Sequence, residues 1–258
     1  MQIDGKEIFV EEIQGNGILN FVLIHNAGGN HQFFHHQIET LKKYGNIILL
    51  DLPGHGKSEN LAHYNMSDLA SVIVKISEKL SLKNISFIGL NNGANIIIDI
   101  ALNHALPISS LVLIDPPLFM KPSFNNEINH FIQKLEEPNL NEFVSSLVES
   151  IFIKTTENNK KIAYEAFMNV DKVALQKIFK GLLEWDKTIS NKLHKITYPT
   201  LCILTDEHHC TYQKMHEEAP HIEIGKVIGS KCWATLEVPA QVNAMIERFI
   251  ALTEIPAF

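Results

Sequence analysis

The chain has 258 residues, of which 45% are hydrophobic and 20% are charged, and these proportions are typical of a soluble globular protein. The net charge of −7 and the lack of a long basic block argue against nucleic acid or an anionic membrane as a partner. No apolar run approaches a signal peptide or the roughly 20 residues of a membrane span, so we expect neither.

The first half of the chain alternates short apolar runs with helical patterns. Runs typical of buried strands lie at 20–25, 46–52, 85–90 and 111–116. Helices are predicted in "NHQFFHHQIETLKKY" after the first strand, at 66–80 with Ser67 as the N-cap, and in "ANIIIDIALNH". Continuous β-branched runs that alternate with helices indicate a parallel sheet covered by helices on both faces.

The pattern then changes. Between residues 121 and 195 the sequence predicts four helices and no strand. Strands are predicted again at 200–205 and 222–229, and a closing helix follows them. We therefore predict a core domain formed by residues 1–120 and 196–258, with a four-helix cap at 121–195 inserted before the last two strands.

The sequence "GLNNGAN" at 89–95 follows a predicted strand and precedes a predicted helix, which indicates a tight turn between them. Its central residue is Asn91, and asparagine tolerates the positive φ of such a turn better than any residue except glycine. Four further motifs accompany it, namely "HNAGGN" at 25–30, "DLPGHGKS" at 51–58, "YPTLCILTDEHH" at 198–209 and "VIGSKCWATLEVPAQVN" at 227–243.

The order of these elements and motifs resembles the α/β-hydrolase superfamily with a small helical cap, over nearly the whole chain. The most similar branch contains enol-lactonases, C–C bond hydrolases, cofactor-free peroxidases and hydrolase-like receptors. The resemblance implies an α/β-hydrolase fold, with a mostly parallel central sheet flanked by helices. In that family the turn reads Gly-x-Ser-x-Gly and its serine is the nucleophile, whereas this chain has Asn91 there.

The resemblance also assigns the other catalytic positions. It places His208 where relatives have the catalytic acid and Cys232 where they have the catalytic histidine. Asp115, Asp206 and Glu207 remain open as alternative acids. If the assignment holds, the Cys232 thiol lies beside the His208 imidazole, with the Asn91 amide on its other side; a cysteine that only fills space is the alternative.

An oxyanion hole is implied as well. In this fold it consists of backbone N–H groups, which fall here on Ala27 and Asn92. His25 and Asn26 belong to the same loop and complete the predicted ligand-binding set; Asn26 replaces the usual glycine. Backbone donors survive side-chain changes, so this site should still favour a carbonyl or anionic oxygen.

We expect no cofactor and no metal, because dinucleotide and P-loop motifs are absent and contiguous residues such as His208, His209 and Cys210 rarely ligate one ion. The three cysteines are too few and too irregular for a disulfide framework, which favours a reducing cytoplasm.

Two functional hypotheses follow. The first is a pseudoenzyme with a degenerate triad that binds a small apolar carbonyl-containing molecule between core and cap, without ordinary ester hydrolysis. The second is an enzyme with rebuilt chemistry, in which Cys232 is the nucleophile or His208 is a general base for cyclisation or elimination. The sequence leaves the identity of the small molecule and the oligomeric state open.

Overall fold

The computed structural model describes residues 1–137 and 139–253; Pro138 in the predicted cap and residues 254–258 of the predicted core lie outside the described residues. The strands are β1 (Gln2–Ile3), β2 (Lys6–Glu7), β3 (Val10–Ile13), β4 (Leu19–Ile24), β5 (Gly45–Leu50), β6 (Ile85–Leu90), β7 (Ile108–Ile114), β8 (Thr200–Leu204) and β9 (Glu223–Lys226). The α-helices are α1 (Ile38–Leu41), α2 (Met66–Lys79), α3 (Asn92–Asn103), α4 (Pro122–Lys134), α5 (Leu140–Ile151), α6 (Glu157–Met168), α7 (Lys172–Ile189), α8 (Tyr212–Glu218), α9 (Ala234–Glu237) and α10 (Pro239–Thr253).

A seven-stranded sheet in the order β3-β5-β4-β6-β7-β8-β9 forms the centre of the molecule. All neighbouring strands are parallel except β3, which pairs antiparallel with β5, and β1 and β2 form a separate hairpin. Every residue of β6 is buried, as expected for a central strand with helices on both faces. The predicted α/β-hydrolase fold, with helices inserted before the last two strands, is confirmed.

The predicted first helix is wrong in its extent. The segment forms a 3₁₀ turn at His31–Phe34, capped by the Asn30 side chain, and then the short α1. The β1–β3 strands escape prediction because they are short and lack a continuous apolar run; β3, for example, has no fully buried residue.

The predicted N-cap of α2 is also wrong. Asn65 caps this helix, since its side chain accepts from the Asp68 N–H while the Asp68 carboxylate accepts from the Asn65 N–H. This reciprocal pair satisfies two free N–H groups, whereas Ser67 lies inside the first turn.

Helices α4 to α7 lie between β7 and β8 and are fastened to the core by polar contacts. The Trp185 indole N–H donates to the buried Asp99 carboxylate over 2.9 Å. The Asp186 carboxylate accepts from the backbone N–H groups of Phe119 and Met120 over 2.7 and 3.0 Å. In the core, Glu237 accepts from the loop after α5, including the Lys154 N–H over 2.8 Å. Of the helices in the described ranges, none has both the length and the apolar character needed to cross a membrane.

Candidate functional site

The turn between β6 and α3 places Asn91 at the carboxyl edge of the sheet. Asn91 has φ 49° and ψ −116°, and its backbone N–H donates to the Ile114 carbonyl over 2.7 Å. The flanking glycines are required by close approach, because a Cβ on Gly89 would lie 2.5 Å from the Ala94 nitrogen and one on Gly93 2.1 Å from the Ile24 oxygen. The residue at the centre therefore points out of a tight turn, at a positive φ that residues other than glycine rarely adopt.

Asp115 follows β7, beside this turn, and is fully buried. Its Oδ1 accepts from the Thr205 hydroxyl over 3.1 Å, and its backbone carbonyl accepts from the Asn91 amide over 3.3 Å. Its Oδ2 has no hydrogen-bond partner within the described part of the chain. Burial raises the pKa of Asp115 to about 8, although hydrogen bonds from Thr205 and Asn91 act in the opposite direction.

His209 and Cys232 meet on the other side of Asp115. The His209 Nε2 lies 3.1 Å from the Cys232 Sγ, and the His209 ring stacks on Phe124 at 3.7 Å between centroids. Burial lowers the pKa of His209 to about 4, and burial, followed by the nearby Asp115 charge, raises the pKa of Cys232 well above its usual value. Both shifts favour a neutral thiol that donates to a neutral imidazole.

A cavity of about 390 Å³ separates these residues from the helical insertion. The core contributes Asn26, Ala27, Asn91, Asn92, His209, Cys232 and Trp233 to its wall. The inserted helices contribute mainly apolar groups, including Phe124, Ile128, Phe131, Leu147, Ile151, Phe167 and Phe179. A larger groove of about 720 Å³ lies between β9 and α10, but none of the candidate residues lines it.

Comparison with known proteins identifies the architecture. A family profile described as the alpha/beta hydrolase fold matches residues 20–219. The chain belongs to the α/β-hydrolase fold family. The chain is 28% identical, over 204 residues, to the pimeloyl-[acyl-carrier protein] methyl ester esterase of Wigglesworthia glossinidia brevipalpis, covering 76% of this chain and 77% of that protein.

Solved structures share the fold. An esterase from Exiguobacterium antarcticum superposes with a TM-score of 0.84 at 21% identity, covering 96% of this chain and 97% of that one. The enol-lactonase from Burkholderia xenovorans LB400 superposes with a TM-score of 0.82 at 16% identity, covering 96% and 98%. At these identities the likeness shows the fold alone.

The imidazole beside the Cys232 thiol is that of His209, so the predicted contact of His208 with Cys232 is wrong. The His208 Nδ1 lies 3.1 Å from the Thr205 carbonyl oxygen, and its ring faces Tyr212. This local contact lies within the turn after β8, and the His208 side chain does not line the cavity. The next residue, His209, then takes the inward position.

The three candidate acids that the sequence left open lie in different surroundings. The Asp206 Oδ2 accepts from the Gly229 N–H over 2.7 Å, which ties Asp206 to the loop after β9. Glu207 is exposed and pairs with Lys231 over 3.5 Å at the rim of the cavity. Asp115 is the acid whose carboxylate lies with His209 and Cys232, all three ligating atoms being within 4.8 Å of one another.

The predicted oxyanion residues come from two segments, since Ala27 follows β4 and Asn92 is the first residue of α3. Ala27 and Asn92 line the cavity, and their backbone N–H groups donate to no acceptor among residues 1–137 and 139–253. His25 does not line the cavity; its Nε2 accepts from the Leu52 N–H over 2.8 Å and its Nδ1 donates to the Asn26 carbonyl over 2.8 Å. His25 therefore acts on the loop that carries Ala27, and only indirectly on a ligand.

His55 also holds the loop that carries Ala27, because its Nε2 accepts from the Gly28 N–H over 3.0 Å. Its Nδ1 donates to the Pro53 carbonyl. Burial lowers the pKa of His25 to about 4 and that of His55 to about 3. Both rings are therefore neutral at ordinary pH, with the proton on Nδ1.

Sequence reasoning missed His209, Thr205 and Phe124 as parts of the site. The string "TDEHH" offers two histidines, and counting from the position of a usual glycine chooses between them by a single residue. Phe124 lies on α4, and no signal in the sequence states which face of that helix meets the core. Asp115 had a usable signal, because it follows a buried strand directly.

Proposed function

We propose that this member of the α/β-hydrolase fold family binds a small apolar molecule through a carbonyl oxygen, between core and inserted helices, and does not carry out ordinary serine-type ester hydrolysis. The observation that carries the proposal is Asn91 at the centre of the strand-turn-helix connection, on the cavity wall. An amide side chain is not a nucleophile, so the position that attacks the ester in related enzymes has a hydrogen-bonding group instead.

The polar groups around Asn91 match a carbonyl or hydroxyl group. The free N–H groups of Ala27 and Asn92 are suited to donate hydrogen bonds to a ligand oxygen. Two buried side-chain atoms on the same wall, Asn26 Oδ1 and Asn92 Nδ2, also have no hydrogen-bond partner in the described structure. Buried polar atoms without partners are costly, and a ligand with one acceptor and one donor would satisfy them.

The remaining wall favours an apolar body. Four phenylalanines and Trp233 contribute to it, while charged groups stand at the rim, where Glu207 and Lys231 pair. A volume of about 390 Å³ lies within the range of about 300–1,000 Å³ that is typical of small-molecule sites. A lactone, ketone or short acyl ester of modest size fits these requirements.

A second candidate function is acyl transfer or hydrolysis with Cys232 as the nucleophile. The 3.1 Å contact between the His209 Nε2 and the Cys232 Sγ favours it, since an adjacent imidazole is the usual activator of a catalytic thiol. The name of the Wigglesworthia relative, a methyl ester esterase, supports acyl chemistry in general. The raised pKa of the Cys232 thiol weighs against it, because desolvation keeps this thiol neutral and the thiolate is the nucleophile.

The proposal is tested by thermal shift with a panel of apolar lactones and ketones, alongside ester turnover with the same protein. Binding should raise the free energy of unfolding by RT ln(1 + [L]/Kd), which is about 2.7 kcal/mol at 100 times Kd. The melting temperature should rise accordingly. Asn91→Phe should abolish the shift by filling the cavity. Asn84→Phe is the matched control, since Asn84 also has positive φ but is exposed, at the opposite end of β6.

A ligand-induced thermal shift that persists in Asn91→Phe would count against binding at this cavity. So would a shift that is lost equally in Asn91→Phe and in the control Asn84→Phe. Saturable turnover of simple esters by the unmodified protein would contradict the second half of the proposal. Turnover abolished by Cys232→Ser would instead select the thiol-based candidate.

A further inference from the structure

Three side chains with metal-ligating atoms converge at the floor of the cavity. A carboxylate oxygen of Asp115, a ring nitrogen of His209 and the sulfur of Cys232 all lie within 4.8 Å of one another. They come from three separate segments, which follow β7, follow β8 and precede α9. Their distance in sequence conceals the group, because metal motifs are recognised by short spacings within one segment.

A second observation points to a ligand at this place. Asp115 is fully buried, and its Oδ2 has no partner among the residues described. A buried carboxylate oxygen without a hydrogen bond or a cation is strongly unfavourable, whether the group is ionised or protonated. None of the ion pairs in the described structure includes Asp115. A metal ion between the three groups would satisfy the oxygen.

The dimensions suit a tetrahedral ion. Zinc binds sulfur at about 2.3 Å, and imidazole nitrogen and carboxylate oxygen at about 2.0–2.2 Å, so neighbouring ligand atoms stand about 3.3–3.8 Å apart. The observed contact between the His209 nitrogen and the Cys232 sulfur is 3.1 Å, and no pair in the group exceeds 4.8 Å. Shifts of about 1 Å or less by side-chain rotation therefore produce the required geometry.

Surrounding groups already orient two of the three ligands. Thr205 donates to the Asp115 Oδ1, and Phe124 stacks on the His209 ring at an interplanar angle of 11°. Such outer contacts are a regular feature of metal sites, where they fix the direction of each ligand. His209 and Cys232 also line the cavity, so the fourth position of a tetrahedral ion would open towards a bound molecule.

We propose that Asp115, His209 and Cys232 bind one divalent cation of the zinc type, with an open coordination position facing the cavity. A thiolate and an imidazole select zinc or cobalt over magnesium or calcium, which prefer oxygen ligands. As the sulfur–metal bond forms, the Cys232 proton passes to solvent and the charge of the metal is partly neutralised by thiolate and carboxylate. The site is a further property of the chain and does not depend on the proposed carbonyl binding.

The test is a titration of chelator-treated protein with Co²⁺, followed by absorbance. One equivalent should bind, with a thiolate-to-cobalt charge-transfer band, and Zn²⁺ should displace it. Cys232→Ser should remove the band, and Asp115→Asn and His209→Gln should weaken affinity at least about tenfold. Cys210→Ser and His208→Gln are matched controls that should leave the titration unchanged, since neither residue belongs to the group.

A wild-type protein that folds normally but binds no Co²⁺ overturns the proposal. So does binding whose charge-transfer band persists in Cys232→Ser, which would indicate a surface histidine site or another thiol. Because a variant could fail to fold, a second readout uses the wild type alone: Zn²⁺ should protect Cys232 from alkylation by iodoacetamide, located by peptide mapping. Thermal shift of the metal-free protein by lactones tests the proposed carbonyl binding separately. A failure of metal binding can therefore be distinguished from a failure of the proposed function.

Discussion

The Nε2 atom of His209 lies 3.1 Å from the Sγ atom of Cys232. This contact has the residue types of a cysteine hydrolase, but its environment differs from that of an activated pair. The sulfur is near the buried Asp115 carboxyl group and the imidazole is stacked under Phe124. A negative or apolar environment opposes formation of a thiolate, and burial opposes formation of an imidazolium.

The first prediction concerns thiol reactivity in metal-free protein. Iodoacetamide should modify Cys232 slowly at pH 6–7, with a rate that rises steadily with pH, because burial raises the pKa of this thiol. The measurement is a series of alkylation rates from pH 5 to 10, read by mass spectrometry of the Cys232 peptide. Cys202, which is fully buried in β8, provides an unreactive internal reference.

His208→Gln should leave these rates unchanged, since His208 contacts the Thr205 carbonyl and not the sulfur. A rate plateau below pH 7 that disappears in His209→Gln would reveal a thiolate–imidazolium pair. That outcome would reject the neutral pair and favour the thiol-based enzyme.

The second prediction concerns repair of hydrolysis. Asn91→Ser alone should give no ester turnover above background, because the proposed assignment puts Cys232 at the position of the base and triad members act as a unit. Adding Cys232→His should yield weak hydrolysis of a short p-nitrophenyl ester, since the Asp115 carboxylate already lies within 4.8 Å of that side chain. Initial rates of the double variant provide the measurement.

Asp115→Asn in the double variant should abolish this activity, whereas Asp206→Asn should not, as Asp206 is bound to the Gly229 N–H. Equal losses from both changes would show that Asp115 is not the acid available to the site. Strong hydrolysis by the single Asn91→Ser variant would point to a base elsewhere in the cavity wall.

The third prediction concerns the backbone of the turn. Asn91→Gly should leave stability nearly unchanged, because glycine adopts φ near 49° without strain. Asn91→Val should cost about 1–2 kcal/mol, since a β-branched residue is disfavoured there. Urea unfolding of both variants gives the comparison, with Asn84→Gly and Asn84→Val as a parallel pair at φ 47° outside the cavity. A tolerated valine at 91 would mean that the turn relaxes easily.

The sheet could be predicted from the sequence because its strands are continuous apolar runs. All six predicted strands are present as β4 to β9. The tight turn at Asn91 could be predicted from Gly89 and Gly93, positions at which any Cβ would clash with neighbouring backbone atoms. These features depend on local composition and close packing, both of which are visible in the order of residues.

The chemistry of the site could be predicted only in part. Asn91 and Cys232 share the predicted cavity, but His209 replaces His208, because a loop of a few residues decides which side chain turns inward. The same is true of Asp115, whose closeness to Cys232 depends on the packing of three loops. Long-range contacts of this kind leave no periodic signal in a single sequence.

The last prediction concerns acid stability. His25 and His55 are buried and accept backbone hydrogen bonds at Nε2, so only their neutral forms fit the folded loop. Burial lowers the pKa of His25 to about 4 and that of His55 to about 3 in the folded state. In the unfolded chain both should titrate near the ordinary value of about 6.5. Between these values the unfolded chain binds more protons than the folded protein.

The contribution of these two histidines to the free energy of unfolding should therefore be fully present above about pH 6.5. It should be lost as the pH decreases towards 4 for His25 and towards 3 for His55. From pH 7.5 to pH 5 each histidine should remove on the order of 2 kcal/mol from the free energy of unfolding. The nearby Asp51 carboxylate favours protonation of both rings, but burial outweighs it. Urea unfolding at a series of pH values measures the slope, and His63→Gln, at an exposed position, is the matched control. His55→Gln should reduce the slope even where it lowers stability at pH 7.5, because the lost titration is separate from the lost hydrogen bond to Gly28. An unchanged slope in that variant would show that His55 has the same pKa in the folded protein and in the unfolded chain, which would contradict its assignment as a neutral acceptor.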